Sequence, residues 1–113
     1  MAKATIYHNP RCTKSRQTLS LLKENGVEPV VVEYLQDPPD EAALRRLLKQ
    51  LGMKPRELIR QKEYRQLQLS ATEDPSELIR RMAANPQIIE RPIVVVGGQA
   101  RLGRPSENVL DIL

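Results

Sequence analysis

Proline and glycine residues divide this chain of 113 residues into short elements, and the order of these elements limits the folds that it can adopt. The segment from Lys3 to Tyr7 has the pattern of a short strand, and the apolar spacing predicts a helix from Cys12 to Asn25, ended by Gly26. Pro29 to Tyr34 contains consecutive valines and predicts a strand buried on both faces. This order of strand, helix and strand favours a parallel pair of strands joined by a right-handed crossover.

The middle of the chain is predicted to be helical. Asp37-Pro38-Pro39-Asp40 reads as a turn in which Asp40 caps a helix that ends at Gly52. Pro55 suits the start of a short helix to about Gln61, and Pro75 suits the start of another that Asn85-Pro86 closes. The apolar residues at helical spacing in these segments are Leu44, Leu47, Leu48, Leu51, Leu78, Ile79 and Met82.

The last part of the chain predicts a hairpin followed by a helix. Pro92 introduces the apolar run Ile93-Val94-Val95-Val96, and Gly97-Gly98 makes a tight turn. Ala100 to Leu102 then returns as the second strand of the hairpin. A final helix is predicted from Pro105 to Leu113.

This order of elements predicts an α/β, thioredoxin-like fold: β-α-β, a helical insertion, and β-β-α. We expect a single domain over residues 1–113, with the helical insertion at about residues 40–86. A chain of this length supports one hydrophobic core. Because it contains no Phe and no Trp, that core must consist mainly of Leu, Ile and Val.

The only cysteine, Cys12, lies between the first predicted strand and the first predicted helix. A helix N-terminus offers unpaired N–H groups and partial positive charge, and both favour a thiolate over a thiol. Arg11, Lys14 and Arg16 add positive charge, so the same place is expected to attract an oxyanion. The pattern therefore predicts a cysteine nucleophile that meets an anionic substrate. The alternative is a buried cysteine that serves only as a small apolar residue.

Composition excludes several other classes of protein. A single cysteine cannot form an internal disulfide, so any redox cycle needs a second thiol from outside the chain. The net charge of +4 arises from basic residues that mostly alternate with acidic ones, and we expect no nucleic-acid ligand. The first seven residues lack the apolar core of a signal peptide, and no apolar run approaches the roughly 20 residues of a membrane span. We therefore expect a cytoplasmic protein that does not bind a membrane.

Four separated motifs resemble those of the ArsC-type arsenate reductases that couple to glutathione and glutaredoxin. The resemblance spans nearly the whole chain and is particularly marked toward the YfgD-like branch of the family. The motifs are Tyr7-His8-Asn9-Pro10-Arg11-Cys12 with Ser15-Arg16, Leu58-Ile59-Arg60, Glu90-Arg91-Pro92-Ile93-Val94-Val95, and Gly103-Arg104-Pro105-Ser106-Glu107.

The resemblance implies a role for each matching residue. Cys12 is implied to attack arsenate, while His8 helps to keep the cysteine ionised. The implied oxyanion-binding residues are Arg60, Arg91 and Arg104. The implied reaction is reduction of arsenate to arsenite through a cysteine–arsenic adduct, as in arsenic detoxification. Glutathione is the implied co-substrate and glutaredoxin the implied partner, with no bound cofactor and no metal.

Physical chemistry supports the arginine assignments to different degrees. Arginine suits an oxyanion because its planar fork donates two hydrogen bonds and stays protonated. Arg91 precedes Pro92, and a proline at this strand start in thioredoxin-like folds is typically cis and faces the cysteine, so Arg91 is expected beside the thiol. Arg104 precedes Pro105 at a helix start. Arg60 lies in a basic helical segment, where the alternative is an ordinary surface residue.

His8 and Ser15 are the candidate thiolate-stabilising residues. An electrostatic role for His8 competes with that of a turn residue that fills space beside Asn9-Pro10. Ser15, three residues after Cys12, occupies the place of the second cysteine in a CxxC redox pair. Its hydroxyl can donate a hydrogen bond to a thiolate but cannot resolve a disulfide. Ser15 can equally be an ordinary residue of the first helical turn.

Two features of the sequence around Cys12 bear on functions other than arsenate reduction. The better-known family members carry small residues at the positions of Arg11 and Lys14, so the substrate of this more cationic site can differ. An arginine follows Cys12 at the fourth position and not at the sixth, which excludes the phosphate loop of tyrosine phosphatases. One alternative is a glutathione-dependent thiol oxidoreductase that acts on another substrate. The other is an Spx-like regulator that binds RNA polymerase, although Ser15 removes the CxxC switch.

Overall fold

The computed structural model describes residues 3–113, so Met1 and Ala2, which begin the segment considered above for a signal peptide, lie outside the described residues. The chain forms two compact units. One is a sheet unit that contains the described residues up to Asp37 together with Arg91–Leu113, and the other is a helical unit, Pro38–Glu90. Within residues 3–113, no helix is both long enough and apolar enough to cross a bilayer.

The sheet unit contains four strands and one long helix. The strands are β1 (Ala4–His8), β2 (Val30–Glu33), β3 (Ile93–Val96) and β4 (Gln99–Leu102), in the spatial order β2-β1-β3-β4. Helix α1 (Thr13–Glu24) connects β1 to β2, which pair in parallel as predicted. Strands β3 and β4 form the predicted antiparallel hairpin, and β3 pairs antiparallel with β1. This is the α/β, thioredoxin-like fold that the order of elements predicted.

The core of the sheet unit lies between the sheet, α1 and the C-terminal helix. Ile6 on the central strand and Leu22 on α1 are fully buried there. The cluster is completed by Val94 from β3 and by Val109 and Ile112 from the chain end. Burying one such aliphatic side chain contributes about 1.5–3 kcal/mol. Strand β1 and helix α1, which flank Cys12, are therefore held by packing against the same core.

The prediction that the valine strand is buried on both faces was wrong. Strand β2 lies at the edge of the sheet, where Val30 is 42% exposed and Val31 is 44% exposed. Branching at Cβ makes a side chain stiff and suits it to a pleated surface, which an edge strand offers as well as a central strand. The run therefore indicates the strand but not its place in the order.

The final helix, which was predicted from Pro105 to Leu113, is not an α-helix. Residues Ser106–Ile112 form a 3₁₀ helix, which repeats every three residues. Val109 and Ile112 are accordingly on one buried face. Leu110 and Leu113 lie outside this face and are exposed.

The helical unit contains three α-helices: α2 (Glu41–Leu51), α3 (Gln61–Gln66) and α4 (Pro75–Ala84). Asp40 caps α2 as predicted, because its side chain accepts a hydrogen bond from Ala43 N at 2.8 Å. Gly52 ends α2 with a φ of 69°, a left-handed conformation that glycine adopts without strain. Leu78, Ile79 and Met82 form the buried face of α4, as their spacing predicted.

The helix predicted from Pro55 to about Gln61 was wrong in its second half. Pro55–Leu58 forms a 3₁₀ turn, after which Ile59 is extended and bridges Ile89 in antiparallel fashion. Two backbone hydrogen bonds stabilise this bridge, from Arg60 N to Ile88 O at 2.7 Å and from Glu90 N to Leu58 O at 2.8 Å. The pairing replaces helical hydrogen bonds, and α3 therefore begins only at Gln61.

Candidate active site

Cys12 is the N-cap residue of α1, directly after the loop that leaves β1. Its backbone N–H donates to Asn9 O at 3.0 Å, and its carbonyl accepts from Arg16 N at 3.0 Å. Its side chain makes no capping hydrogen bond, and the residue is 9% exposed. The sulfur is therefore placed by the backbone at the positive end of the helix, as the sequence predicted.

The thiol of Cys12 is acidified by its surroundings. Burial raises the pKa of Cys12, because a thiolate is less well solvated in the protein than in water. The N–H groups of Ser15 and Lys14, with the positive charges of Arg91 and Arg104, act in the opposite direction and together lower the pKa below its usual range. The balance favours the thiolate, which is the form that acts as a nucleophile.

We expect alkylation of Cys12 by iodoacetamide to follow a pKa below that of free cysteine. Replacing Arg91 and Arg104 together with glutamine should raise this pKa, because it removes two positive charges that stabilise the thiolate. Ultraviolet absorbance of the thiolate against pH measures both values directly. A wild-type pKa at or above that of free cysteine would support the buried, unreactive alternative.

Arg104 brings a guanidinium to the cysteine. Its Nη2 lies 3.8 Å from Cys12 Sγ, and its Nε donates to the carbonyl oxygen of Arg91 at 2.8 Å. The second bond orients the planar group, so the side chain is held in place before any substrate arrives. The Arg91–Pro92 bond is cis, as predicted, and the Arg104–Pro105 bond is cis as well.

Gly103 makes the close approach of Arg104 possible, and it was not identified as a functional residue from the sequence. A Cβ atom at Gly103 would lie 2.6 Å from Thr18 Oγ1 and 2.8 Å from Pro92 Cγ. The Gly103 N–H also donates to Pro92 O at 2.9 Å. The residue thus packs against both α1, whose N-cap is Cys12, and the segment that carries Arg91. The only sequence signal was its place in the motif Gly103-Arg104-Pro105.

His8 and Ser15 contact each other directly. Ser15 Oγ lies 2.6 Å from His8 Nδ1 and accepts a hydrogen bond from Asn9 N at 3.0 Å. Burial lowers the pKa of His8, Glu33 raises it and Arg16 lowers it, with a net decrease that favours the neutral imidazole. The predicted thiolate-stabilising role of His8 stays a prediction. The structure shows the contact of His8 with Ser15, and the backbone N–H of Ser15 lowers the pKa of Cys12.

Arg60 belongs to the helical unit, where it is the N-cap residue of α3. Its Nη2 forms an ion pair with Glu63 Oε2 at 2.9 Å, and its Nη1 contacts Gln87 O at 3.4 Å. Arg91 and Arg104 are thus brought to Cys12 within one unit, whereas Arg60 is held by partners of its own unit. Its assignment to the oxyanion site stays a prediction.

Comparison with known proteins agrees with the motifs. Residues 7–112 match the sequence model of the ArsC family. The chain is 61% identical to the uncharacterised protein YfgD of Escherichia coli (strain K12), over 96% of this chain and 94% of that protein. It is 43% identical to an arsenate reductase of Neisseria meningitidis, over the whole of both chains. An arsenate reductase from Vibrio cholerae has a similar structure, with a TM-score of 0.93, 46% identity, and coverage of 99% of this chain and 98% of that one.

Proposed function

Because this chain belongs to the ArsC family, we propose that it reduces arsenate to arsenite, with Cys12 as the nucleophile. The names of its relatives support the substrate, since the matching proteins from Neisseria meningitidis and Vibrio cholerae are both called arsenate reductases. The geometry at Cys12 supports the chemistry independently of those names.

The observation that carries this proposal is the contact between Arg104 and Cys12. A thiolate and arsenate are both anions, so they repel each other unless fixed cations lie at the point of approach. Arg104 Nη2 is 3.8 Å from Cys12 Sγ, and its guanidinium is already oriented by the carbonyl of Arg91. An oxyanion bound to this guanidinium would have its central atom within reach of the sulfur.

The first proposed step forms a sulfur–arsenic bond. The Cys12 thiolate attacks arsenic, and one arsenate oxygen leaves with protons from solvent as water. Arsenic remains in its +5 state in the adduct. Arg104 and Arg91 are proposed to stabilise the charge on the remaining oxygens, and Arg60 is proposed to be a third cation at this site. The N–H groups at the start of α1 favour the ionised sulfur before the attack.

The second proposed stage supplies two electrons from outside the chain. Glutathione adds to the adduct and a second oxygen leaves as water. A thiol of glutaredoxin then attacks the glutathione sulfur, forming a mixed disulfide while arsenic gains two electrons. Water releases arsenite and returns the Cys12 thiolate. One observation supports external thiols: the chain has a single cysteine, so it cannot form the disulfide itself.

A coupled assay tests the proposal. NADPH oxidation is measured with glutathione, glutathione reductase and glutaredoxin present, and the reaction is started with arsenate. We expect oxidation that depends on arsenate, on glutaredoxin and on this protein. Glutathione exchange with small disulfides in the absence of arsenate reduction would favour the alternative thiol oxidoreductase. Retention of RNA polymerase on the immobilised protein, with neither activity, would favour the regulator.

A further inference from the structure

A small pocket of about 150 Å³ lies beside the cysteine loop in the sheet unit. His8, Arg11, Glu33 and Leu35 contribute to its lining. Arg11 directly precedes Cys12, and consecutive Cα atoms are about 3.8 Å apart, so one wall of the pocket is a single residue from the nucleophile. None of the steps described above uses this pocket.

The pocket carries one charge of each sign. His8 and Glu33 are paired across β1 and β2, and the charge of Glu33 acts on the His8 ring, which places the carboxylate on the pocket side of the strands. Within the described residues, 3–113, neither Arg11 nor Glu33 forms an ion pair with another side chain. The backbone N–H of Arg11 donates to Asn9 Oδ1 at 3.0 Å, which fixes the loop without engaging the guanidinium.

We propose that this pocket binds the α-amino-acid end of a small thiol, with its carboxylate on Arg11 and its ammonium on Glu33. In glutathione this end is the γ-glutamyl group, so the inference rests on the proposed use of glutathione. A water needs roughly 10–15 Å³ of cavity, so the volume suffices for a carboxylate, an ammonium and the carbon between them. Leu35, which is exposed, would contact the methylene groups.

The charges select this ligand over the oxyanion substrate. Glu33 would repel arsenate, whereas the oxyanion site at Arg91 and Arg104 has cations nearest the sulfur. A zwitterionic end satisfies both Arg11 and Glu33 at once. The two substrates would therefore approach Cys12 from differently charged surroundings, and the thiol of the peptide would be directed toward the arsenic adduct.

The binding step can be measured without arsenate. Cys12 is converted to its mixed disulfide with thionitrobenzoate, and the thiol under test displaces the coloured thiolate, leaving a new mixed disulfide on the protein. We expect the rate to saturate with glutathione concentration in the wild type. In Arg11→Gln and Glu33→Gln the half-saturating concentration should rise about tenfold, the usual effect of losing one charge-assisted hydrogen bond.

Glu33→Gln gives the decisive result. Glutathione has a net negative charge, so removing a carboxylate should strengthen its binding if only general electrostatics act. The proposed site predicts weaker binding, and it predicts no weakening for N-acetylcysteine, which has a carboxylate but no ammonium. The exposed pair Lys23→Gln and Glu24→Gln, at the far end of α1, serves as the charge-matched control and should leave both thiols unaffected.

Two results would overturn the subsite. One is a wild-type rate that stays linear in glutathione, and the other is tighter glutathione binding by Glu33→Gln. These results are independent of the arsenate assay. Saturable, Glu33-dependent exchange in a protein that reduces no arsenate would keep the subsite and reject the arsenate proposal. Arsenate reduction with unchanged glutathione dependence in both variants would reject the subsite alone.

Discussion

Replacing Cys12 with serine is expected to abolish arsenate reduction, leaving no rate above the background of the coupled assay. A serine hydroxyl is not ionised near neutral pH, and without sulfur no arsenic–sulfur bond can form. The structure predicts that the variant loses activity because it lacks the sulfur and not because it fails to fold. Cys12 is an N-cap residue with no side-chain capping bond, and serine is among the preferred residues at that position.

The same variant carries its own control for folding. If serine caps α1, the free energy of unfolding of Cys12→Ser should equal that of the wild type or exceed it by up to about 1 kcal/mol. Chemical denaturation followed by circular dichroism measures this difference. If the inactive variant unfolds much more easily than the wild type, the loss of activity would be attributed to unfolding and not to the missing sulfur. Measurable arsenate reduction by a well-folded Cys12→Ser protein would show that Cys12 is not the nucleophile.

The elements that were predicted well are those whose signals are local. Gly52 and Asp40 mark the two ends of α2, and Pro75 marks the first turn of α4. Pro92 likewise precedes β3. Each of these residues restricts the backbone conformation at its own position, so the local sequence is sufficient to predict where the element begins or ends.

The errors arose where distant partners decide the structure. Ile59 lies in a segment with helical spacing, yet pairing with Ile89, thirty positions away, makes it extended. Val30 and Val31 indicate a strand, but only the complete sheet order shows that the strand lies at an edge. Long-range pairing of this kind leaves no mark on the local sequence pattern.

In the candidate site, too, some features follow from the local sequence and others depend on contacts between distant segments. The position of Cys12 at the start of α1 follows from local pattern. Family motifs predict Arg91 and Arg104, whose positive charges lower the pKa of Cys12 in the structure. The contact between His8 and Ser15 and the packing of Gly103 could not be predicted, because each depends on distances between segments. The lowered pKa of His8 is a further consequence of burial, which the sequence does not show.

Arg104→Ala is expected to lower kcat/KM for arsenate on the order of 10²-fold, the usual effect of removing one preorganised donor from an oxyanion site. Arg104→Lys should restore only part of the loss, because an ammonium cannot both bind the Arg91 carbonyl and present a planar fork to the anion. Arg101→Ala, which removes the same charge three residues earlier on β4, is the matched control and should retain nearly full activity. An equal loss of kcat/KM in Arg104→Ala and Arg101→Ala would indicate that the loss arises from the overall charge and not from the position of Arg104.

Displacing the same guanidinium without removing it provides a second test of its role. Gly103→Ala would place a methyl group 2.6 Å from Thr18 Oγ1, so the segment that carries Arg104 must shift away from α1. We expect this variant to reduce arsenate more slowly. Sulfate, a tetrahedral anion like arsenate, should also protect its Cys12 from alkylation less well than in the wild type. Adding Thr18→Ala should partly restore both the rate and the protection. Gly98→Ala, which meets nothing within 4 Å, is the control. Unchanged kinetics in a folded Gly103→Ala protein would show that the position of Arg104 at the sulfur is not required for catalysis.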